Sequence, residues 1–349
     1  MTQLITYTLL AMLLQFSLPA MAQQSSDHRN TPSAAAIAQV EDHDFPDFSE
    51  DLQRVSLDTS TLNLKSTLSG RPAATSTYTL EVAQVKWRPS DSIDLYIALP
   101  RGVKRPPVVI YLYGHPIYPK RYSDEGWYNR VTSGGFAAVA FLPALSGSRL
   151  HSPRPMNQDF LNHLPETLPL TAHDLQMVLN YLKTRSDLDL DLDHVGVFAT
   201  SFGATAAILA ASVDPRIKVL DLLNPWGDWP DWASASELVS IMNCSVCSTP
   251  EFTSNLAPFD PVKWLPTLKT PAIRVRQFPG NGEIPKAAQD KIEAVLPPTA
   301  GLLQFESVAE FNRSASGGAT FDWIKDVLKP KPTQPAQSPP KPTESPDGT

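Results

Sequence analysis

The residues with the clearest chemical use are Ala199-Thr200-Ser201-Phe202-Gly203. They follow a short apolar run, Val195-Gly196-Val197-Phe198, and open an alanine-rich stretch that continues to about Ser212. An apolar strand, a tight turn and a helix with serine at the apex form the nucleophile-elbow pattern, which lifts a hydroxyl clear of a buried strand. The residues two before and two after the serine must be small, because the strand and helix backbones nearly touch there. Gly203 fills one place and Ala199, one methyl larger, the other. A serine at a helix start also caps the helix. A serine hydroxyl is a poor nucleophile without a base, so the chemistry depends on partners elsewhere.

The elements that must position this turn are readable around it. Residues 76–87 alternate in part (Tyr78, Leu80, Val82, Val85, Trp87), and 93–99 do so again, which predicts an antiparallel pair. Apolar runs at 107–113, 136–142, 195–198, 217–223, 272–278 and 302–308 bring the predicted strands to eight. Helical patterns fall at about 125–132, 172–184, 203–212, 286–295 and 321–328. Continuous apolar strands alternating with helices predict an α/β architecture, a mostly parallel sheet with helices on both faces. The longest interruption, 224–270, separates strands six and seven and holds four of the seven tryptophans. It reads as a small lid-like insertion over the strand ends, where open α/β sheets bind ligands.

The two ends of the chain differ from this middle. Residues 1–22, with an apolar core over 7–18 and the ending Ala20-Met21-Ala22, predict a secretory signal peptide cleaved after Ala22. The mature protein is then expected to be secreted or periplasmic, with no transmembrane segment, since no other stretch approaches spanning length. Residues 23–75 read as a low-order extension, 76–328 as the folded domain and 329–349 as a Pro-rich disordered tail. A net charge of −7 without a long basic run argues against nucleic acid. Cys244 and Cys247, the only cysteines, read as a local disulfide in an oxidising compartment. No second Cys/His pair has metal-ligand spacing. No metal or cofactor is expected, and the expected partner is a small-molecule substrate or ligand.

The order of eight strands, with the serine turn after the fifth, resembles the α/β-hydrolase fold over roughly 78–328. Several phrases are similar to the branch containing dienelactone hydrolases and prolyl-oligopeptidase-like (S9-type) peptidases. They are Thr171-Ala172-His173-Asp174-Leu175 leading to Tyr181-Leu182, Val213-Asp214-Pro215-Arg216-Ile217-Lys218-Val219, and Ala257-Pro258-Phe259-Asp260-Pro261 with Leu268-Lys269-Thr270-Pro271-Ala272.

The resemblance implies a serine, an acid after strand seven and a histidine after strand eight, in that order. Histidine would deprotonate the serine, the acid would fix the imidazole tautomer, and backbone N–H groups would hold the oxyanion. Ser201 takes the nucleophile place and Phe202 offers one oxyanion N–H. The loop Tyr113-Gly114-His115-Pro116-Ile117-Tyr118 offers the Ile117 N–H or the Tyr118 hydroxyl, Pro116 having no N–H. The acid stands in Asp-x-x-(Val/Ile)-Pro in the family. Here that run is Asn281-Gly282-Glu283-Ile284-Pro285, which makes Glu283 a displaced candidate, with Asp228 a second one after strand six.

The histidine place is vacant of any base. The chain's seven histidines are His28, His43, His115, His151, His163, His173 and His194, and none follows strand eight. The run 309–318, Ala-Glu-Phe-Asn-Arg-Ser-Ala-Ser-Gly-Gly, contains no histidine; its arginine stays protonated and its asparagine does not titrate. His115, in the loop over the serine, is the candidate substitute. His151 and His163 lie after strand four, and His173 and His194 read as helix-start and strand-start residues.

Two expectations follow. One is a serine hydrolase acting on an ester, less readily a peptide, with Ser201 as nucleophile and an atypical or missing base. The other is an inactive hydrolase relative that binds a small molecule, a glycan or an exported protein. For the latter, Trp226 and Trp229 beside Asp228 and Asp231 offer aromatic faces suited to sugars or cations, or plain lid packing.

Overall fold

The computed structural model describes residues 50–59, 64–68, 73–88, 91–114, 119–146, 149, 160–280, 282–316 and 318–329. The signal-peptide segment, most of the extension and the Pro-rich tail lie outside them.

A single sheet organises the chain. Its strands are β1 (Lys65–Leu68), β2 (Ala73–Ala74), β3 (Tyr78–Lys86), β4 (Ser92–Pro100), β5 (Pro107–Leu112), β6 (Ala137–Phe141), β7 (Asp191–Thr200), β8 (Ile217–Leu223), β9 (Ala272–Gln277) and β10 (Gly301–Gln304). The spatial order is β1-β3-β4-β6-β5-β7-β8-β9-β10, with β2 paired to β3. From β6 across to β10 every pairing is parallel, and β4 runs antiparallel to both its neighbours. The eight expected strands are all present as β3 to β10. The last is shorter than the expected 302–308, because the chain turns at Phe305 and Val308 already begins a helix.

Alternation along the strands sorts the core into two layers. Val108, Ile110 and Leu112 face one cluster with Val197, Ala199 and Leu220, whereas Val109 and Tyr111 face another with Phe198 and Val219. Helices α1 (Glu125–Thr132) and, later in the chain, Asp322–Leu328 cover the second layer. Helices α2 (Leu164–Thr184) and α3 (Ser201–Val213) cover the first. Helix α2 starts eight residues before the expected 172. Pro169 reads as a breaker, yet it falls in the second turn and forfeits only one interior N–H. Every residue of α3 from Phe202 to Ala211 is buried, as expected of a helix that is apolar all round.

The insertion 224–270 contributes four short helices, α4 (Trp229–Ala235), α5 (Glu237–Ile241), α6 (Pro250–Leu256) and α7 (Pro261–Trp264). It packs on α2 and α3. Thr205 Oγ1 on α3 donates to the Trp226 carbonyl at 2.6 Å, and the Asp260 carboxylate accepts from the Asp228, Trp229 and Val262 N–H groups. The remaining helices are α8 (Lys286–Ala294), α9 (Val308–Ser316) and α10 (Asp322–Leu328).

Part of the extension is ordered, contrary to the expectation for 23–75. Val55 joins the core, Leu57 N–H donates to Gln176 Oε1, and Gln176 Nε2 donates to the Val55 carbonyl. Beside it lies a buried ionic cluster. Arg88 bonds Glu50, Asp91 and Asp174, and Arg149 bonds Asp91 and Asp174. Removing one cation from such a cluster would leave buried carboxylates uncompensated. The cluster ties the extension, the start of β4, the segment after β6 and α2 into one piece.

Candidate functional site

Ser201 stands where β7 ends and α3 begins, with φ of 50°. A non-glycine residue in the left-handed region stores strain and persists only where its surroundings hold it. Two contacts do so. A Cβ on Gly203 would stand 2.8 Å from the Leu112 carbonyl oxygen, so helix and sheet approach as closely as glycine alone permits. A Cβ on Gly114, just beyond β5, would stand 2.6 Å from Ser201 Cβ and 3.2 Å from Ser201 Oγ. Gly114 therefore lies directly against the serine. The Gly114 N–H also donates to Thr200 Oγ1 at 2.8 Å, a tether that the sequence alone gave no reason to expect.

Phe202 anchors the turn from below. Its ring is fully buried, 5.0 Å from the Phe160 ring in an edge arrangement and 6.3 Å from Trp226. The first N–H groups of a helix have no partner within it, so the Phe202 amide stands at the positive end of α3 beside the hydroxyl. That suits a developing oxyanion. Tyr113, next to Gly114, is held by the Trp127 indole donating to its hydroxyl at 2.9 Å, and the Arg121 guanidinium lies 3.8 Å from its ring centre. Burial raises the Tyr113 pKa above the ordinary phenol value, with Arg121 acting in the opposite sense.

The other half of a triad is built differently. Phe278 directly follows β9 and Phe305 directly follows β10, and both contact Phe311 on α9, at 5.7 Å and 5.8 Å between ring centres. The strand ends that would carry acid and histidine thus carry an aromatic cluster. Glu283 lies farther along, where its Oε1 accepts from the Trp226 indole at 2.6 Å and its carbonyl accepts from Ser236 Oγ. Asp228, itself left-handed at φ 50°, pairs with Lys291 at 2.8 Å. Burial raises its pKa, the Lys291 ammonium pulls the other way, and Asp231 adds to the rise. Both candidate acids are engaged with the insertion or with α8.

The tryptophans are packing residues. Trp226 and Trp229 are 1% and 0% exposed, with Trp226 stacked on Trp232 at 5.1 Å and Trp229 edge-on to it at 5.7 Å. No face of either is free, which corrects their reading as a ligand platform. Cys244 and Cys247 are joined in a disulfide within the insertion.

Three histidines fall among the described residues. His173 is buried, 2.8 Å from the Arg54 carbonyl and 3.3 Å from Glu50, so it fastens the ordered part of the extension. His194 pairs with Asp191 at the opposite end of β7 from Ser201. His163 precedes α2, with Nδ1 3.8 Å from Glu166. The candidates His115, Ile117 and Tyr118, with His151 and Asn281, lie outside the described residues. Among the described residues no group of three or more His, Cys, Asp or Glu side chains could hold a metal ion, and no helix is long and apolar enough to cross a membrane.

No family model and no curated protein matches the sequence. Solved structures do resemble the fold. Acetyl xylan esterase 1 from a Thermoanaerobacterium species superposes with a TM-score of 0.60 at 13% identity, over 77% of this chain and 89% of that one. An S-formylglutathione hydrolase from Agrobacterium tumefaciens gives 0.54 at 14%, over 74% and 98%. The Pyrococcus horikoshii acylaminoacyl peptidase gives 0.55 at 15%, over 72% of this chain and 41% of the longer peptidase. At such identities the likeness is one of fold. With the strand order, the antiparallel second strand and the serine turn after the fifth, it gives the chain the α/β-hydrolase fold.

Proposed function

We propose that the protein is an exported serine hydrolase acting on a carboxylic ester, with Ser201 as nucleophile, the Phe202 N–H in the oxyanion site and His115 as an atypical base. One observation carries the reading: Gly114 packs its backbone on Ser201, within 3.2 Å of Oγ for a Cβ built there. His115 is the next residue in the chain after Gly114, which is why it is the base proposed here. A base supplied from the loop after β5 would make a histidine after β10 unnecessary. The left-handed Ser201 supports the same reading, since strain of this kind gathers at functional turns. The disulfide and the predicted signal peptide support export. The acetyl xylan esterase and the S-formylglutathione hydrolase are matched over 89% and 98% of their length and the peptidase over only 41%, which favours an ester over a peptide. The test is hydrolysis of a p-nitrophenyl short-chain ester by the mature protein. Turnover that disappears in Ser201→Ala supports the reading, and no turnover above that variant contradicts it.

The aromatic cluster at the ends of β9 and β10 favours a second reading, an inactive relative that keeps the fold and binds a ligand. Calorimetric binding of an ester or amide without any product would support that reading over the first.

A further inference from the structure

Gly114 flanks Ser201 on the β5 side; on the β8 side stands Asn224. Thr200 and Leu223 are register partners on β7 and β8. Ser201 and Asn224 are therefore the first residues beyond two adjacent parallel strands, whose axes lie about 4.8 Å apart. Both leave the sheet left-handed, at φ 50° and 48°. Asn224 is 2% exposed. Its backbone N–H donates to the Arg276 carbonyl at 2.8 Å, and its Oδ1 accepts the Phe278 N–H at 3.1 Å.

An amide oxygen that accepts a backbone N–H identifies which end of the side chain is nitrogen. Nδ2, carrying two N–H donors, is buried and has no partner among the described residues. The left-handed turn accounts for asparagine over a branched residue, and the Phe278 contact accounts for Oδ1. Neither uses Nδ2. Native structures rarely leave a buried donor unmade, and each exception calls for a reason. Here the exception stands one strand from a strained serine, at the edge of the sheet where α/β folds take ligands.

We propose that Asn224 Nδ2 is a substrate-facing donor that holds the carbonyl oxygen of an acyl compound bound at Ser201. This rests on the reading of Ser201 as nucleophile and deepens it. As the Ser201 Oγ–carbon bond forms, the carbonyl π pair moves onto oxygen, where the Asn224 and Phe202 N–H groups meet it. The hydroxyl proton passes to the base. When the π pair returns, the carbon–alkoxide bond breaks and the proton leaves with the alcohol. The site thus asks for a carbonyl or another acceptor-bearing centre, and the donor completes an oxyanion site to which the loop after β5 need not contribute an N–H.

Asn224→Asp keeps an acceptor for the Phe278 N–H, removes the donor and adds a buried negative charge, whereas Asn224→Leu removes the donor without adding charge. With an alkyl fluorophosphonate as probe, both variants are expected to label Ser201 about 100- to 1000-fold more slowly, the loss typical of one oxyanion donor, with melting temperatures recorded to confirm that each is folded. Labelling within about threefold of the unsubstituted rate overturns the proposal. A second measurement needs no variant: the Asn224 side-chain NH2 resonances are followed by 15N NMR as 2-decanone, a carbonyl compound with no leaving group, is added. Displacement of that pair supports the donor, and an unmoved pair overturns it. If the unsubstituted chain does not label at all, the nucleophile reading fails, and the titration alone decides whether Asn224 meets a carbonyl.

Discussion

Two ends of one sheet edge are built to different standards. Where β7 gives way to α3, each feature serves a close approach: Gly203 against the Leu112 carbonyl, Gly114 against Ser201, and Thr200 tethering the Gly114 amide. Where β9 and β10 end, Phe278 and Phe305 both pack on Phe311, and Glu283 accepts from the Trp226 indole. The first end is a close approach of loop, strand and helix around a serine, the second an aromatic cluster. On the function proposed above, the difference means that a nucleophile turn is kept while the place of the proton relay is packed, with the base coming from elsewhere.

The sharpest way to break the contrast is at Gly114. Gly114→Ala places a methyl 2.6 Å from Ser201 Cβ, so either the loop or the serine must move. Ester turnover is expected to fall about 100-fold, the loss that a misplacement near 1 Å can bring. Near-normal turnover would show that the loop does not position the chemistry. At the other end, Phe311→Ala removes the shared partner of Phe278 and Phe305. It is expected to destabilise the fold by about 1–3 kcal/mol in urea melts, a partly exposed aromatic costing less than a core one. Turnover should hold, and a comparable fall in turnover would mean that the cluster belongs to the site.

Two smaller effects sharpen the same line. Ser201→Gly relieves the left-handed strain and is expected to raise unfolding stability by about 1 kcal/mol, the low end for such a residue. A loss of stability would mean that the hydroxyl is structural. Glu283→Gln keeps a side-chain oxygen for the Trp226 indole and is expected to change turnover by less than about threefold. A carboxylate orienting a catalytic imidazole would instead cost about 10,000-fold, which makes kinetics of this variant a direct check on the acid.

Most of the fold was readable from the sequence, because the central strands are buried on both faces and therefore appear as unbroken apolar runs. The elbow was readable for a related reason: the demand for small residues at 199 and 203 is steric and local. The short β1 and β2 escaped, since Lys65–Leu68 is exposed at an edge and bears no period. The start of α2 escaped because Pro169 hides a helix that tolerates it. At the site, the Trp226 indole on Glu283 was not legible, since spacing cannot tell a relay carboxylate from one bonded to an indole 57 residues earlier. The tryptophans left two readings open for the same reason: aromatic faces beside carboxylates look alike in sequence whether open or closed. Thr200 and Asn224 could be found only once β5, β7 and β8 were set in register. An asparagine that ends an apolar strand before Pro225 was the one available hint.

Whether Ser201 reacts, and what activates it, separates the two proposed functions. Peptide mapping after treatment with an alkyl fluorophosphonate tests both in the mature protein. The predicted result is a single adduct on Ser201, formed at least about 100-fold more slowly in His115→Ala, as expected on losing a general base. No adduct on Ser201, or an unchanged rate in His115→Ala, would contradict it.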